Sequence, residues 1–297
     1  MATIASLIVS VLFALMSALL FGTGTAAQHW VSARLRRNET TPRGLVARLT
    51  RDPLWMTGIG LEIAAFGFQL VALHRGGLVI VQPIISLSLV IAFLTTATAF
   101  KAKLCAGDKY ALLAVAAGLA VFLVATMPRA KHVSHATTAR WVTVSLVVGC
   151  AIVGAVYVGR RFEGRPRAQG LACAAGVADA MMAALAKALS EQTDHGFITV
   201  LTSWPLYSVA AMGVVALLLQ QAAYQTARPA ITLPLIAVVE PLLSVVIGIA
   251  VFGERIAHGA GRGLLAVASL LGLVTGLSIL ARSPLADEVH VREVHTL

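Results

Sequence analysis

The sequence has little charge and few cysteines. Only 12% of its 297 residues are Asp, Glu, Lys or Arg, and 58% are hydrophobic, whereas a soluble domain usually carries about 25% charged and about 45–50% apolar residues. This composition excludes a disordered chain and argues against a soluble globular enzyme. The three cysteines have no metal-like spacing, so we predict neither a disulfide framework nor a zinc site.

Sequence motifs typical of soluble enzymes and of metal or cofactor binding are also missing. The sequence has no phosphate-binding loop and no nucleophile–base constellation, and its loops are too short to hold a catalytic domain. His132 and His135 have no further metal ligands near them. The stretch 22–27 matches the dinucleotide pattern GxGxxA but follows no strand, so small-residue helix packing explains it better. We therefore expect no enzyme, no resident metal and no cofactor.

Long uncharged hydrophobic blocks are the main feature of the chain. A membrane-spanning helix needs about 20 residues, and blocks of that length recur as far as residue 281. We predict an all-α integral membrane protein with about nine transmembrane helices, in a single domain 1–281 followed by a cytoplasmic tail 282–297. The predicted spans 1 to 9 are 4–27, 54–74, 77–100, 110–128, 141–159, 168–189, 198–221, 229–252 and 263–281.

Lysine and arginine are distributed unequally between the two sides of this arrangement. The loops after odd-numbered spans and the tail carry sixteen of them, and the other loops carry six. The positive-inside rule then places the N-terminus outside and the C-terminus in the cytoplasm of a plasma membrane. A net charge of +10 would suggest nucleic acid in a soluble protein. Here the basic loops face anionic lipid, so the expected partner is the bilayer and not nucleic acid.

Two stretches of the chain match at an offset of 151 residues. In both, a helix ends soon after a glutamine, and a proline enters the first turns of the next helix, where a missing N–H is tolerated. Five spans separate the copies, so they run in opposite directions, as in many secondary transporters. We predict repeat one at about 4–128, a connector helix at about 141–159 and repeat two at about 168–281. The matched pairs are Gln69 and Gln220, Ala72 and Ala223, Ile80 and Ile231, and Pro83 and Pro234.

The runs FQLVALHRGGLVIVQPIISLSLVIAF at 68–93 and QQAAYQTARPAITLPLIAVVEPLLSVVIGIAVFGE at 220–254 resemble the drug/metabolite transporter (DMT) superfamily with its EamA-type repeats. Gly253-Glu254 is similar to the GE pair that closes the corresponding helix in that family. Nine helices with an outside N-terminus, instead of the usual ten, resemble the NIPA-like branch, which is associated with magnesium transport in eukaryotes. The resemblance covers most of 4–281 and implies a transporter.

Four charged residues lie inside the predicted spans. A charge at a helix centre costs at least about 2.5–3.5 kcal/mol on insertion scales, so such residues usually have a function. Asp179 and Lys187 lie two turns apart on one face and can form either a structural ion pair or part of a pathway. Glu62 can pair with Arg51 or serve transport. The predicted substrate or ion pathway comprises Glu240, Asp179, Glu62, Lys187, Gln69 and Gln220. Glutamines within spans more often form hydrogen bonds between helices than bind ligands, so this alternative stays open for Gln69 and Gln220.

Glu240 stands directly before Pro241 in the middle of span 8. Pro241 removes one backbone hydrogen bond and frees a carbonyl near Ala237. A carboxylate beside a freed carbonyl can hold a hard cation or a proton; alternatively, the proline is a packing kink and Glu240 is neutral and hydrogen-bonded. We predict helix breaks at Pro241, Pro83 and Pro234.

The leading interpretation is a secondary transporter that moves a small solute across the plasma membrane by alternating access. One alternative is a magnesium or divalent-cation transporter of the NIPA-like type, since one or two carboxylates suffice to hold hydrated Mg²⁺. Another is a non-transporting structural or accessory membrane protein. A homodimer is possible through the GxxxG motif at 272–276, which can also serve packing within the bundle.

Overall fold

The computed structural model describes residues 2–36, 51–99, 106–126, 137–226, 229–254 and 260–281. Within these ranges every regular element is a helix and none is a strand, which confirms the all-α prediction for the described part of the chain. The predicted tail 282–297 lies outside the described residues. The helices are α1 (Ala2–Arg36), α2 (Pro53–Arg75), α3 (Leu78–Ile85), α4 (Leu87–Ala99), α5 (Ala106–Thr126), α6 (Thr138–Arg161), α7 (Arg165–Gln192), α8 (Phe197–Thr202), α9 (Trp204–Thr226), α10 (Pro229–Phe252) and α11 (Ala260–Ala281), with a 3₁₀ turn at Thr193–His195.

Among the described residues, five helical stretches are long and apolar enough to cross a membrane, and three shorter ones are apolar over part of that length. The protein is therefore a helical membrane protein, and the count of nine spans remains a prediction. The five are Ala5–Gln28, Pro53–Arg75, Leu78–Thr95, Thr138–Arg161 and Arg165–His195. The shorter three are Trp204–Gln220, Val238–Phe252 and Gly261–Gly276.

Span 3 consists of two helices that meet at Ser86. Pro83 lies inside α3, and the change of helix comes three residues later, where the Ser86 hydroxyl donates to the Gln82 carbonyl at 3.1 Å. In contrast, α10 is one helix through both Pro234 and Pro241. The breaks predicted at Pro234 and Pro241 are therefore wrong as helix ends, because proline leaves one carbonyl without its donor and need not stop the helix. Near Pro83 a helix does end, two residues later at Ile85.

The helices pack in a regular pattern of neighbours. Helix α1 packs along α2 and α4, and α7 packs along α9 and α10. Helices α5 and α11 pack against each other, α3 contacts α10, and α6 contacts α7. Helix α7 is buried along most of its length, whereas α6 is largely exposed.

Small residues allow the closest of these contacts. A Cβ atom on Gly24 would lie 2.9 Å from the Gly58 carbonyl oxygen, and one on Gly276 would lie 2.9 Å from the Ala111 carbonyl oxygen. Gly276 of the GxxxG motif thus packs within the chain, whereas no described atom lies within 4 Å of a Cβ built on Gly272. The interpretation of 22–27 as a packing segment is supported in the same way, because Gly22 and Gly24 both meet neighbouring helices.

Candidate functional site

Two carboxylates lie on neighbouring helices that pack against each other inside the bundle. Asp179 lies in the buried helix α7, is 8% exposed, and accepts a hydrogen bond of 2.8 Å from the Gln220 side-chain amide of α9. Glu240 belongs to α10, which packs on α7 where Gly176 meets Val239, and these two contact residues lie one turn from Asp179 and next to Glu240. The structure thus brings together three of the residues that the sequence proposed for a pathway.

Glu240 is partly exposed although it lies on the buried face of α10. Ile236 and Ser244, one turn to either side of it, are both buried. Ile249, which is exposed, lies on the opposite face of the helix at 3.6 residues per turn. Glu240 therefore lies on the side of α10 that packs against other helices, opposite the exposed face of that helix.

Gln82 and Ser244 are buried polar side chains without a hydrogen-bond partner among the described residues. Both amide atoms of Gln82 and the Ser244 hydroxyl have no hydrogen-bond partner in the described part of the molecule. A Cβ on Gly248 would meet Leu78 and Val79 at 3.3 Å, so α10 and α3 touch there. Gln82 and Ser244 each lie four residues inward from that contact, which places them on the facing sides of the two helices.

Ser244 was not among the residues predicted for the pathway, although its spacing from Glu240 indicates that the two share a helix face. Ser244 lies four residues after Glu240 and four before Gly248, so the three form one stripe on α10. This stripe connects the level of the two carboxylates to the end of the bundle where α10 finishes.

A second polar cluster holds the tight connection between α2 and α3, and we call it the clasp. The clasp consists of Lys187, Glu254 and the loop segment 73–79. The Lys187 ammonium group of α7 donates to the carbonyls of Leu73 and Gly76, the latter at 3.1 Å. The Glu254 carboxylate accepts from the backbone N–H groups of Leu78 and Val79 at 2.7 and 2.8 Å. Both charged groups come from the second half of the chain and both bind backbone of the first half.

Each charged group of the clasp lies at a helix end whose partial charge has the opposite sign. The last carbonyls of a helix lack intrahelical donors and carry partial negative charge, and the first N–H groups carry partial positive charge. Lys187 therefore binds the end of α2, and Glu254 binds the start of α3. Glu254 lies two residues beyond α10, and burial raises the pKa of its carboxyl above the ordinary value, while the bonds from Val79 and Leu78 and the charge of Lys187 oppose that shift.

Further contacts surround the clasp. The Ser10 hydroxyl donates to the Ala72 carbonyl at 2.8 Å, and a His74 ring nitrogen lies 2.9 Å from the Ser190 carbonyl oxygen. The other His74 nitrogen lies 3.4 Å from an Asp194 carboxylate oxygen. We call this end of the bundle, where α2 and α10 finish, the clasp end.

The remaining predicted residues occupy other places. Glu62 accepts a hydrogen bond of 3.1 Å from Thr25 of α1, so its described partner is a neighbouring helix and not Arg51. Gln69 is buried in α2. Lys187 lies 4.0 Å from Glu191 and bonds the clasp loop, and Asp179 bonds Gln220. The structure therefore gives Lys187 and Asp179 separate partners.

Comparison with known proteins gives one relative. The chain is 27% identical over 252 residues to a protein of Corynebacterium glutamicum that is described as uncharacterized, and the match covers 84% of this chain and 86% of that one. No protein-family model matches the chain. No solved structure matches it.

Proposed function

We propose that the protein is a secondary transporter of the drug/metabolite type that moves a small solute across the plasma membrane by alternating access. The observation that carries this proposal is the group of polar side chains inside the bundle. Asp179 is buried in α7 and Glu240 lies on the packed side of α10. Gln82 and Ser244 lie on the facing sides of α3 and α10 and have no hydrogen-bond partner among the described residues. Charged and polar groups at such depth usually mark the route of a substrate or an ion.

The packing pattern supports two related halves. Helix α1 contacts α2 and α4, and α7 contacts α9 and α10, which is the correspondence expected if repeat one (4–128) and repeat two (168–281) share a fold. The contacts of α3 with α10 and of α5 with α11 join equivalent members of the two halves. Inverted repeats of this kind hold their substrate at the interface between the halves.

The clasp supplies a closed gate in this mechanism. It joins the halves at one end of the interface through four bonds from Lys187 and Glu254 to backbone groups. In the orientation favoured by the basic loops, the clasp end faces outside, so these bonds must break before the interior opens to that side. A local cluster that seals one end is what alternating access requires at each half of its cycle.

A divalent cation is the second candidate substrate, and the placement of one carboxylate on each of the packed helices α7 and α10 favours it. Mg²⁺ keeps most of its water and needs one or two carboxylates, which Asp179 and Glu240 can supply. Among the described residues no group of three or more His, Cys, Asp or Glu side chains is placed to hold a metal. The NIPA-like resemblance points in the same direction as this pair.

Flux in proteoliposomes tests the proposal. The purified protein is given a panel of small metabolites and Mg²⁺ under imposed proton, sodium or magnesium gradients. We expect flux driven by one gradient, and we expect Glu240→Gln and Asp179→Asn to abolish it while insertion and thermal stability are retained. Glu163→Gln, which changes an exposed acid in the loop after α6, is the matched control.

Two results would count against transport. Full flux in Glu240→Gln would remove this carboxylate from the mechanism. An absence of flux for every solute and gradient, from protein that is folded and inserted, would favour the structural or accessory role, in which the bond between Asp179 and Gln220 only ties helices together.

A further inference from the structure

The turn between α6 and α7 carries a cluster of positive charge that the proposed transport pathway does not use. Four arginines and one glutamate fall within residues 160–167, and all five side chains are exposed. Among the described residues, none of these arginines forms an ion pair with a carboxylate. An anionic partner would therefore lower the electrostatic energy of the cluster. The arginines are Arg160, Arg161, Arg165 and Arg167.

Close packing holds the two halves of this cluster at one end of the helix pair. A Cβ on Gly159 would lie 3.3 Å from the Arg167 carbonyl oxygen, so the end of α6 touches the start of α7. The chain reverses at Gly164, whose φ of +70° suits glycine. Helix stability does not explain Arg165 and Arg167, because the start of a helix disfavours cations and the first turn of α7 holds no acid.

Tyr157 holds the Arg161 guanidinium in a fixed position. Nε and Nη2 of Arg161 donate to the Tyr157 hydroxyl at 3.1 and 2.8 Å, and the guanidinium carbon lies 5.3 Å from the centroid of the ring. These bonds use two of the five N–H donors, so the edge formed by Nη1 and Nη2 remains for two parallel bonds to a phosphate. Tyrosine rings prefer the level of the lipid headgroups, which is also the level of the phosphates.

An apolar stripe continues from Tyr157 along the outer face of α6. Val153, Cys150 and Leu146 are exposed and follow Tyr157 at spacings of four, three and four residues, so they share its face. The buried Val148 lies on the opposite face. The stripe is roughly 16 Å long at 1.5 Å per residue, which is close to half of a hydrocarbon core of about 30 Å. It therefore has the length that the acyl chains of one leaflet cover.

We propose that α6 and its turn bind one anionic phospholipid, with the phosphate against Arg161 and the neighbouring arginines and with the acyl chains along the stripe 146–157. The headgroup and the chains each have a matching surface on the same helix. A zwitterionic choline headgroup brings an ammonium group that the arginines repel, so the site should prefer a lipid of net negative charge. A soluble phosphate would make no use of the stripe.

Lipid binding is measured by native mass spectrometry on delipidated protein in detergent, and no flux is needed. The protein is titrated with phosphatidylglycerol and with phosphatidylcholine of the same acyl chains. We expect phosphatidylglycerol to bind the first site more tightly. The double variant Arg161→Gln/Arg165→Gln should weaken that binding about 25-fold, at about fivefold for each arginine, and should leave phosphatidylcholine binding unchanged. Tyr157→Phe, which keeps the ring but removes the acceptor for Arg161, should weaken it about threefold.

The matched control is Arg51→Gln/Lys109→Gln, which removes the same charge from exposed residues predicted on the same side of the membrane. It should leave the first binding constant unchanged, with melting temperatures close to that of the parent for all variants. An equal loss in both double variants would reduce the effect to general attraction by a basic surface and would overturn the proposal. Equal binding of the two lipids would also overturn it. Displacement of phosphatidylglycerol by an equal concentration of glycerol 1-phosphate would indicate a site for a free phosphate and would overturn the assignment to a lipid.

Discussion

Removal of the Glu254 side chain should open the clasp. In Glu254→Ala the backbone N–H groups of Leu78 and Val79 lose the acceptors that now lie 2.7 and 2.8 Å away. No side chain of the loop itself caps the start of α3, so no described residue of that loop replaces the carboxylate. We expect the population of the open state to rise while the helices themselves stay intact.

The size of the effect follows from the two orphaned donors. A buried donor without a partner costs about 1–3 kcal/mol. Glu254 is only partly buried, so water reaches the site and the lower value applies to each group. The closed state should lose about 2 kcal/mol, which corresponds to about a 30-fold change in the closed-to-open ratio at 1.4 kcal/mol per factor of ten.

Cysteine labelling in nanodiscs measures this ratio. Val81 is fully buried in α3, one turn inward from Leu78, so Val81→Cys in a chain without its native cysteines reports opening. A charged maleimide should label it about 30-fold faster in Glu254→Ala, provided that reclosing is faster than labelling. Glu254→Gln should give a smaller increase, because its amide keeps one acceptor but turns an NH₂ group toward a backbone donor.

Asp52→Ala is the matched control for this experiment. Asp52 also accepts two backbone N–H bonds at a helix start, from Leu54 and Trp55 at 3.0 and 3.2 Å, but all of these groups belong to the start of α2. It should leave labelling at Val81→Cys unchanged. The reasoning fails if Asp52→Ala accelerates labelling as much as Glu254→Ala, or if neither variant changes it.

Three further predictions test the charge of Glu254, the packing at Gly276 and the contribution of Lys187 to the clasp. Burial raises the pKa of the Glu254 carboxyl in the closed state above that of a solvated glutamate, so the closed state binds the proton more tightly than the open state. As the pH falls and this carboxyl takes up its proton, the closed state should gain population and the labelling rate should fall. Glu254→Ala should not show this change. Gly276→Leu should lower the melting temperature, with a cost of at least about 1–3 kcal/mol, whereas Gly272→Leu, where no described atom lies within 4 Å of the added Cβ, should not. Lys187→Met leaves two carbonyls without this donor and should destabilise the fold by about 2 kcal/mol or more in thermal unfolding.

The helical class followed from the sequence because hydrophobic blocks and helix boundaries are local. Asp52 before Pro53 is an N-cap signal, and α2 begins there, within one residue of the predicted start of span 2. The position of the break in span 3 was not predictable from proline alone. Ser86 competes for the carbonyl of Gln82 with its hydroxyl, and such side-chain bonds to backbone depend on the final geometry.

The partners of the charged residues were predicted less well than their presence. Lys187 and Asp179 share a face of α7, so an ion pair between them was a fair expectation. The carbonyls at the end of α2 are more than a hundred residues away in sequence, and their need for donors is visible only once α2 and α7 are neighbours. Glu62 was predicted for the pathway because it is a charged residue within a span, but its contact is Thr25 of α1. The position of a residue within a span does not fix the direction of its side chain.

The two polar clusters differ in how well the protein satisfies them, and this difference leads to a last prediction. At the clasp, Lys187 and Glu254 are bonded to backbone groups, so the cluster is complete without a ligand. On α3 and α10, Gln82 and Ser244 remain unpaired in the described structure, which costs about 1–3 kcal/mol for each buried group. A bound substrate that forms hydrogen bonds with Gln82 and Ser244 would remove this cost.

Replacing Gln82 by an apolar residue of similar size should therefore stabilise the empty protein and impair its function. We expect Gln82→Met to raise the free energy of unfolding by about 1 kcal/mol, read as a higher melting temperature, and to reduce flux in proteoliposomes. Gln220→Met is the contrasting variant, because it removes a donor that Asp179 uses at 2.8 Å and should lower stability. A Gln82→Met protein that is less stable than the parent would mean that Gln82 is satisfied within the fold, and the groups on α3 and α10 would then be structural rather than a place where a solute binds.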